Sequence, residues 1–362
     1  MRDVAVIGGG LAGAAVALRL ARGGRDVVVL ERERGPHDKV CGEFLSFEAQ
    51  EELAALGVDP LALGAARIGR VRVARGARRR EAPLGFEALS LSRRALDEAL
   101  LARAAEAGAE VRRGARVVGL EGGRRARLAG GEEVEARAVV LATGKHDLRG
   151  WGRPPGPQGG LLGLKGYFRL ADPGGLEGAV ELHLFPGGYA GLEMVEGGRA
   201  NLCLVVRRAA FAGLGHRWDA LLDHLRAACP GLAERLAGAQ ACQDRPLAVA
   251  GLPYGLVAAR AEGVWRVGDQ AAVIPSFTGE GMSLALHGAR LAASGLLAGL
   301  DPEAFQRRLA AGLRGQVRRS AWASRALVAP GPQAAVGRVL SAPLLRAALR
   351  ATRIPAWARG QR

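Results

Sequence analysis

Lysine is almost absent from this chain: of its 51 cationic residues, only Lys39, Lys145 and Lys165 are lysines. The formal net charge of +16 is therefore an excess of arginine, spread over every segment among abundant Ala and Gly. That is the mark of compositional bias rather than of a built polyanion site. A working nucleic-acid stripe sets clustered cations on one face with aromatics between them, and aromatics make up only 4% of the sequence. No nucleic-acid partner is expected. Cysteines are also few: Cys41, Cys203, Cys229 and Cys242 form no CxxC pair, which excludes a disulfide framework and a zinc site and fits a reducing, cytoplasmic setting. No metal-ligand spacing such as HExxH occurs. No apolar run reaches the ~18 residues of a spanning helix. The N-terminal stretch Met1 to Leu20 resembles a signal peptide in hydropathy, but closely spaced glycines and a following strand argue against one.

With 49% apolar and 24% charged residues in 362, the chain has the means to bury a large core. Asp3 to Ile7 reads as a buried strand, Gly8 to Gly10 as a turn, Leu11 to Arg22 as a helix and Asp26 to Leu30 as a second strand closing on Glu31. This is the unit from which parallel nucleotide-binding sheets are built. Later strands are expected at Glu110 to Leu120, Ala136 to Ala142 and Gly263 to Gly268, with a helix from about Arg93 to Gly108. Between them the pattern changes: a short strand and turn around Gly76, then four strand-like runs from Leu161 to Val206 separated by Gly-rich turns. There Val180, Leu182 and Leu184 alternate with Glu181, His183 and Phe185, which predicts one apolar and one mixed face, as for a sheet that covers a cavity or packs on helices on one side only. Trp218 to Leu236 reads as a helix, and so do Gly279 to Leu300 and Pro302 to Ala329.

The expected fold class is α/β, a Rossmann-type nucleotide-binding domain with an inserted antiparallel β-sheet substrate domain. Residues 1–65, 91–150 and 255–330 are assigned to the first and 66–90 and 151–254 to the second. The tail, 331–362, carries Val336, Val339, Leu340, Leu344, Leu345, Ala348 and Leu349 at helical spacing among arginines. It reads either as a helix packed on the body or as a basic amphipathic segment in peripheral contact with a membrane.

Gly8-x-Gly10-x-x-Gly13 follows a strand and opens a helix, and Glu31 ends the next strand eighteen residues past the last glycine. The first glycine makes the turn, the second lets backbone N–H groups approach a pyrophosphate, the third lets helix and strand pack closely, and Glu31 suits ribose hydroxyls. The motif alone leaves NAD and FAD open. The segment Val264 to Ser283 then delivers Asp269 from a strand to the sheet edge and starts a second helix through Pro275, Gly279 and Gly281. Two helix N-termini aimed at one extended ligand suit a dinucleotide with an electron-rich ring.

At these residues the sequence resembles a known family. The Gly8/Gly10/Gly13/Glu31 fingerprint, the Gly268-Asp269 segment with its Pro275-x-x-x-Gly279-x-Gly281 helix start, and Lys39 to Ser46 are similar to the geranylgeranyl reductase branch of the FAD-dependent hydroxylase superfamily, of the para-hydroxybenzoate hydroxylase fold. Arg93-x-x-Leu96-Asp97 is similar to that superfamily's helix start, and the likeness spans about residues 1 to 330. The resemblance implies FAD, with Lys39 and Arg93 near its phosphates, Val117 presenting backbone to the adenine, and Cys41 and Gly42 approaching the flavin. Leu11, Ala12, Arg32, Thr143, Gly144 and Met282 complete the expected cofactor contacts.

There are departures. Where many relatives carry an Asp-Gly pair tied to NADPH handling, this chain reads Ala142-Thr143-Gly144-Lys145-His146, and no second glycine fingerprint occurs. NAD(P)H would therefore reach the flavin only transiently, as reductant. Gly187 to Met194 lacks the Trp-rich motif of the superfamily's halogenases, so halogenation is set aside.

Catalytic side chains are expected to be sparse, because a flavin carries its own chemistry. Cys41, Glu43 and Tyr189 are the candidates; the favoured reading of Cys41 is a small packing residue, loop solvation explains Glu43 and Ser46 equally well, and a structural hydrogen bond is the favoured reading of Tyr189, His146 and His183. The favoured reading is a monooxygenase that uses O2 to hydroxylate a small hydrophobic substrate, such as a polyketide-type aromatic. The alternative is reduction of an isoprenoid C=C bond, and a remote one, drawing on the +16 charge, is an RNA-acting flavoprotein.

Overall fold

The computed structural model describes residues 1–156, 158–339 and 341–355. It begins with β1 (Arg2–Ile7), α1 (Leu11–Arg22), β2 (Val27–Glu31), β3 (Phe44–Leu45) and α2 (Phe47–Leu56). A hairpin of β4 (Ala66–Arg75) and β5 (Arg78–Ser90) follows, then α3 (Arg93–Glu106), β6 (Glu110–Arg113), β7 (Val117–Glu121), β8 (Arg125–Leu128) and β9 (Glu133–Leu141). The meander β10 (Leu161–Arg169), β11 (Gly178–Phe185), β12 (Gly188–Val195) and β13 (Arg199–Arg207) leads into α4 (Arg208–Gly213), α5 (Trp218–Ala228) and α6 (Pro230–Arg235). The chain ends with β14 (Gln240–Ala241), β15 (Leu247–Ala250), β16 (Trp265–Arg266), α7 (Gly281–Leu297), α8 (Pro302–Val328), α9 (Pro330–Val339) and α10 (Ala342–Ala351).

Two sheets organise these elements. In the first, β6, β2, β1, β9 and β16 run parallel in that order, and the antiparallel pair β8 and β7 continues from β9. The five residues of β2 are all buried, as a parallel strand covered on both faces must be. α1 packs so tightly that Ala14, Ala15 and Ala17 have no exposed surface; the small side chains let the helix lie against β1 and α7. Two glycines are dictated by this packing. A Cβ on Gly13 would lie 1.9 Å from the carbonyl oxygen of Gly8, and Gly8 itself has φ +103° with no room for a side chain beside the Ala142 carbonyl.

The second sheet has the order β14, β10, β13, β12, β11, β4, β5, β3, with β15 also on β10. All its pairs are antiparallel except β4 with β11. The turn at Gly76 joins strands of ten and thirteen residues, far longer than the short strand expected there, because outward arginines interrupt the apolar alternation. The strand expected at Gly263 to Gly268 is two residues long, and Glu110 to Leu120 divides into β6 and β7 at the Gly114 turn, φ +69°. Pro230 divides the helix expected from Trp218 to Leu236, since it supplies no N–H to continue α5.

The mixed face of β11 is a correction. Glu181 and His183 are 3% and 2% exposed, because α5 and α6 pack over that face while Val180, Leu182 and Leu184 turn to a cavity. The buried Glu181 carboxylate is matched by Arg72 at 3.1 Å, Arg235 at 3.0 Å and His183 Nε2 at 3.0 Å.

The tail folds back onto both sheets. The buried Gln333 amide donates to the Phe185, Gly188 and Leu327 carbonyls, Ile354 enters the core around α1, and Arg353 bonds Glu48 and lies over the Phe86 ring. Leu340 and residues 356–362 of the expected amphipathic stretch lie outside the described residues. No helix among the described residues is long and apolar enough to cross a membrane.

Candidate functional site

The carboxyl ends of β1 and β2 deliver the glycine turn and Glu31 to one end of a cavity of about 1180 Å³ that continues between the two sheets. Its walls include Gly8, Gly10, Leu11, Ala12, Glu31 and Arg32, together with Val117, Thr143 and Gly144. Gly13 is behind the wall, packed on Gly8. The Glu31 carboxylate accepts the Gly9 N–H at 2.6 Å and the Glu33 N–H at 2.9 Å, so it holds the glycine turn in place as well as facing the cavity.

Beside the second glycine stands a cationic pair. Arg93 donates to both oxygens of Asp97 at 2.8 Å, and Lys39 Nζ reaches the same carboxylate at 2.8 Å. A Cβ on Gly10 would meet Lys39 Nζ at 3.1 Å and Arg93 Nη2 at 3.4 Å. Burial disfavours the Asp97 charge, but Arg93 and Lys39 outweigh it and hold the carboxyl below the usual range. Two cations on one anion leave one positive charge over the N-terminus of α1, whose free N–H groups add to it. That is an anion site by charge and by donors.

The second turn closes the same cavity. Asp269 lines it 3.8 Å from Lys145 Nζ, which also donates to the Val40 carbonyl at 2.6 Å. Gly279, Gly281 and Met282 line it at the start of α7, whereas Pro275 sits behind, its carbonyl accepting the Thr278 hydroxyl. Gly279 has φ +71°, and a Cβ there would strike the Phe44 ring. The structure thus gathers all the expected cofactor residues around one cavity except Gly13 and Pro275.

Beyond the second turn the cavity walls become apolar: Val71, Val73, Leu84, Val180, Leu182 and Leu184 of the second sheet, with Val249 and Leu252. Tyr189 lies here, 2% exposed, its hydroxyl 3.0 Å from Ser276 Oγ and its ring edge-on to Phe277. Burial pushes its phenol up to about 12, so it stays neutral. Cys41 and Gly42 line the passage between the two halves. Of the other candidates, Ser46 is buried against Glu48 and Ser283, and His183 belongs to the Glu181 cluster on the far face of β11. His146 lines the end at the glycine turn, where burial and then neighbouring cations lower its pKa.

Glu43 lies in the loop before β3 but is not solvated there. It is fully buried at φ +58°, a conformation rare for a non-glycine residue. Its carboxylate takes Lys165 Nζ at 2.6 Å, the Tyr167 hydroxyl at 2.8 Å and the Arg93 N–H at 2.8 Å. Lys165 and Tyr167 were not among the expected site residues, nor were two groups beside them. Glu193, 2% exposed, lines the cavity, and Asn201 Nδ2 bridges its Oε1 at 2.7 Å and the Cys41 carbonyl at 3.2 Å. Pairing across β10, β13 and β12 sets Tyr167, Asn201 and Glu193 in one row. A lysine in the otherwise apolar run Leu161 to Phe168 was the one sequence signal.

A family model described as lycopene cyclase protein matches residues 3–166. The menaquinone reductase of Mycolicibacterium smegmatis is 29% identical over 330 residues, covering 82% of this chain and 76% of that one. Among solved structures, the myxobacterial FAD-dependent halogenase CndH superposes with TM-score 0.76 at 22% identity, covering 96% of this chain and 87% of that one. A geranylgeranyl bacteriochlorophyll reductase-like protein from Thermoplasma acidophilum gives 0.71 at 21%, covering 99% and 94%.

Proposed function

We propose that this chain is an FAD-dependent oxidoreductase that reduces a carbon–carbon double bond in a lipophilic, isoprenoid-type substrate; its fold is that of the FAD-dependent halogenase and the geranylgeranyl bacteriochlorophyll reductase-like protein named above. The observation that carries this reading is the single cavity that runs without a break from the glycine turn to an apolar chamber between the sheets. Its supporting relative is the menaquinone reductase, whose similarity extends over both sheets.

FAD fits the residues present. The glycine turn and α1 N-terminus, with Lys39 and Arg93 over Gly10, offer N–H donors and one surplus positive charge to the two phosphates. Glu31 keeps lone pairs for ribose hydroxyls and repels a 2′-phosphate. Asp269 is placed to accept from a ribityl hydroxyl, and the first turn of α7 favours negative charge on the ring. When bound, FAD supplies the electron pair for reduction. The second sheet then excludes water and positions the apolar chain, with Tyr189 and Glu193 among the polar groups that line the cavity there. NAD(P)H serves as a transient external reductant, with no domain of its own.

The test is product analysis. Protein loaded with FAD and reduced without oxygen is mixed with menaquinone-4, and the product is reoxidised in air before mass spectrometry. A gain of two hydrogens that survives reoxidation supports side-chain reduction. Incorporation of ¹⁸O from ¹⁸O2 in a parallel aerobic reaction, with no such gain, would instead establish the monooxygenase reading on a hydrophobic aromatic.

A further inference from the structure

The polar row on the second sheet contains more acid than base. Glu43 and Glu193 are both fully buried, and Lys165 is the cation between them. The groups that face Glu193 are Glu43 and Cys41 from the loop before β3, Lys165 and Tyr167 from β10, and Asn201 and Cys203 from β13. Burial raises the Glu43 carboxyl, but three donors, the Lys165 ammonium, the Tyr167 hydroxyl and the Arg93 N–H, favour its charged form against that burial. Among the described residues Glu193 has the Asn201 amide alone. Burial, and next the charge on Glu43, raise the Glu193 carboxyl well above its ordinary range. A second carboxylate here would leave the buried row with a net negative charge in an apolar wall.

The position is open toward the chamber. Gly191, its neighbour but one on β12, has no side chain, and a Cβ built there would lie 3.9 Å from Glu193 Oε2. The amide that holds Glu193 also holds the Cys41 carbonyl, at the junction of the nucleotide and apolar halves of the cavity.

We propose that Glu193 is the proton donor of the reduction, the acid that completes addition across the substrate double bond. This rests on the reductase reading above. With reduced FAD as the two-electron donor, giving up its hydride to one alkene carbon, the other carbon would take the Glu193 proton with the π electron pair, so that the Glu193 O–H bond breaks and a C–H bond forms. Glu193 is left as a carboxylate beside the Asn201 amide and the Lys165 charge, and water entering the cavity restores its proton.

The test uses the full chain loaded with FAD, comparing wild type with Glu193→Gln, which keeps the size and the Asn201 bond. Infrared spectra at neutral pH should show a protonated carboxyl C=O band that shifts in D2O and is missing from Glu193→Gln. Absence of that band from the wild type would overturn the proposal without any turnover. In anaerobic reduction of menaquinone-4, Glu193→Gln should lose about 100-fold or more in rate, in the range of general-acid contributions, with binding of the probe by fluorescence titration unchanged. Glu193→Asp should recover part of the rate. Full-rate reduction by Glu193→Gln sinks the proposal alone; a wild type that never reduces the probe sinks the reductase reading, and the proposal with it. A matching thermal melt confirms that the variant is folded.

Discussion

Lys165 Nζ lies 2.6 Å from Glu43 Oε1, and neither side chain has any exposed surface. The contact joins the second sheet to the loop that follows β2, and so ties the chamber wall to the nucleotide end. Lys165 also donates to the Tyr167 hydroxyl at 2.8 Å and lies over its ring. Removing one member of a buried, hydrogen-bonded ion pair strands the other. Lys165→Met should therefore lower unfolding free energy by about 3–5 kcal/mol, read by urea denaturation. The double variant Lys165→Met/Glu43→Gln should recover part of that loss, because no charge is then left unmatched.

Lys39 is expected to act on the cofactor rather than on the fold. It is partly exposed, and Arg93 still holds Asp97 when it is gone. A charge-assisted hydrogen bond to phosphate contributes roughly 1.5–3 kcal/mol. Lys39→Met should thus weaken FAD binding about 10- to 100-fold in a fluorescence titration and leave the thermal melt of the apoprotein unchanged.

Gly191 tests the chamber independently of the cofactor. Its nearest neighbour to an added Cβ is the Cys203 carbonyl oxygen at 3.6 Å, so a side chain is tolerated there but must project beside Glu193 into the cavity. Gly191→Leu should retain FAD affinity and lose most of the binding of menaquinone-4, measured by the same titration with the lipid as the variable.

The cluster under β11 predicts an acid limb of stability. Burial raises the Glu181 carboxyl, but the hydrogen bonds from His183 and Arg235 more than reverse this and bring it to about 2, below its ordinary 4.5. A depressed carboxyl contributes stability that is fully present above 4.5 and is lost as pH falls toward 2. Glu181→Gln should therefore be less stable at neutral pH and show a shallower decline between pH 4.5 and 2, measured by denaturation at each pH.

The nucleotide end was legible in the sequence because its signals are local. Gly8, Gly10, Gly13 and Glu31 fall within one strand–turn–helix–strand unit, and backbone geometry fixes what each must do. Lys39 and Arg93 are 54 residues apart and came from resemblance; Asp97, already visible in the same helix start, proved to be the carboxylate that gathers them. The chamber was not legible. Tyr167, Asn201 and Glu193 become neighbours only through the register of three antiparallel strands, which the alternation of their sequences leaves undetermined. The burial of the mixed face at Glu181 and His183 was not legible for a related reason: the partners of Glu181, Arg72 and Arg235, arrive from distant elements.

The central claim, electron transfer from bound flavin to an apolar alkene, is tested most directly by one anaerobic single turnover. Protein reduced with one equivalent of dithionite is mixed with menaquinone-4 in a stopped-flow instrument, and flavin absorbance is followed alongside the product mass after air reoxidation. The account predicts that oxidised flavin returns without oxygen, at a rate that tracks a lasting gain of two hydrogens. Flavin that stays reduced until O2 is admitted, and then returns with oxygen incorporated into the product, would contradict it.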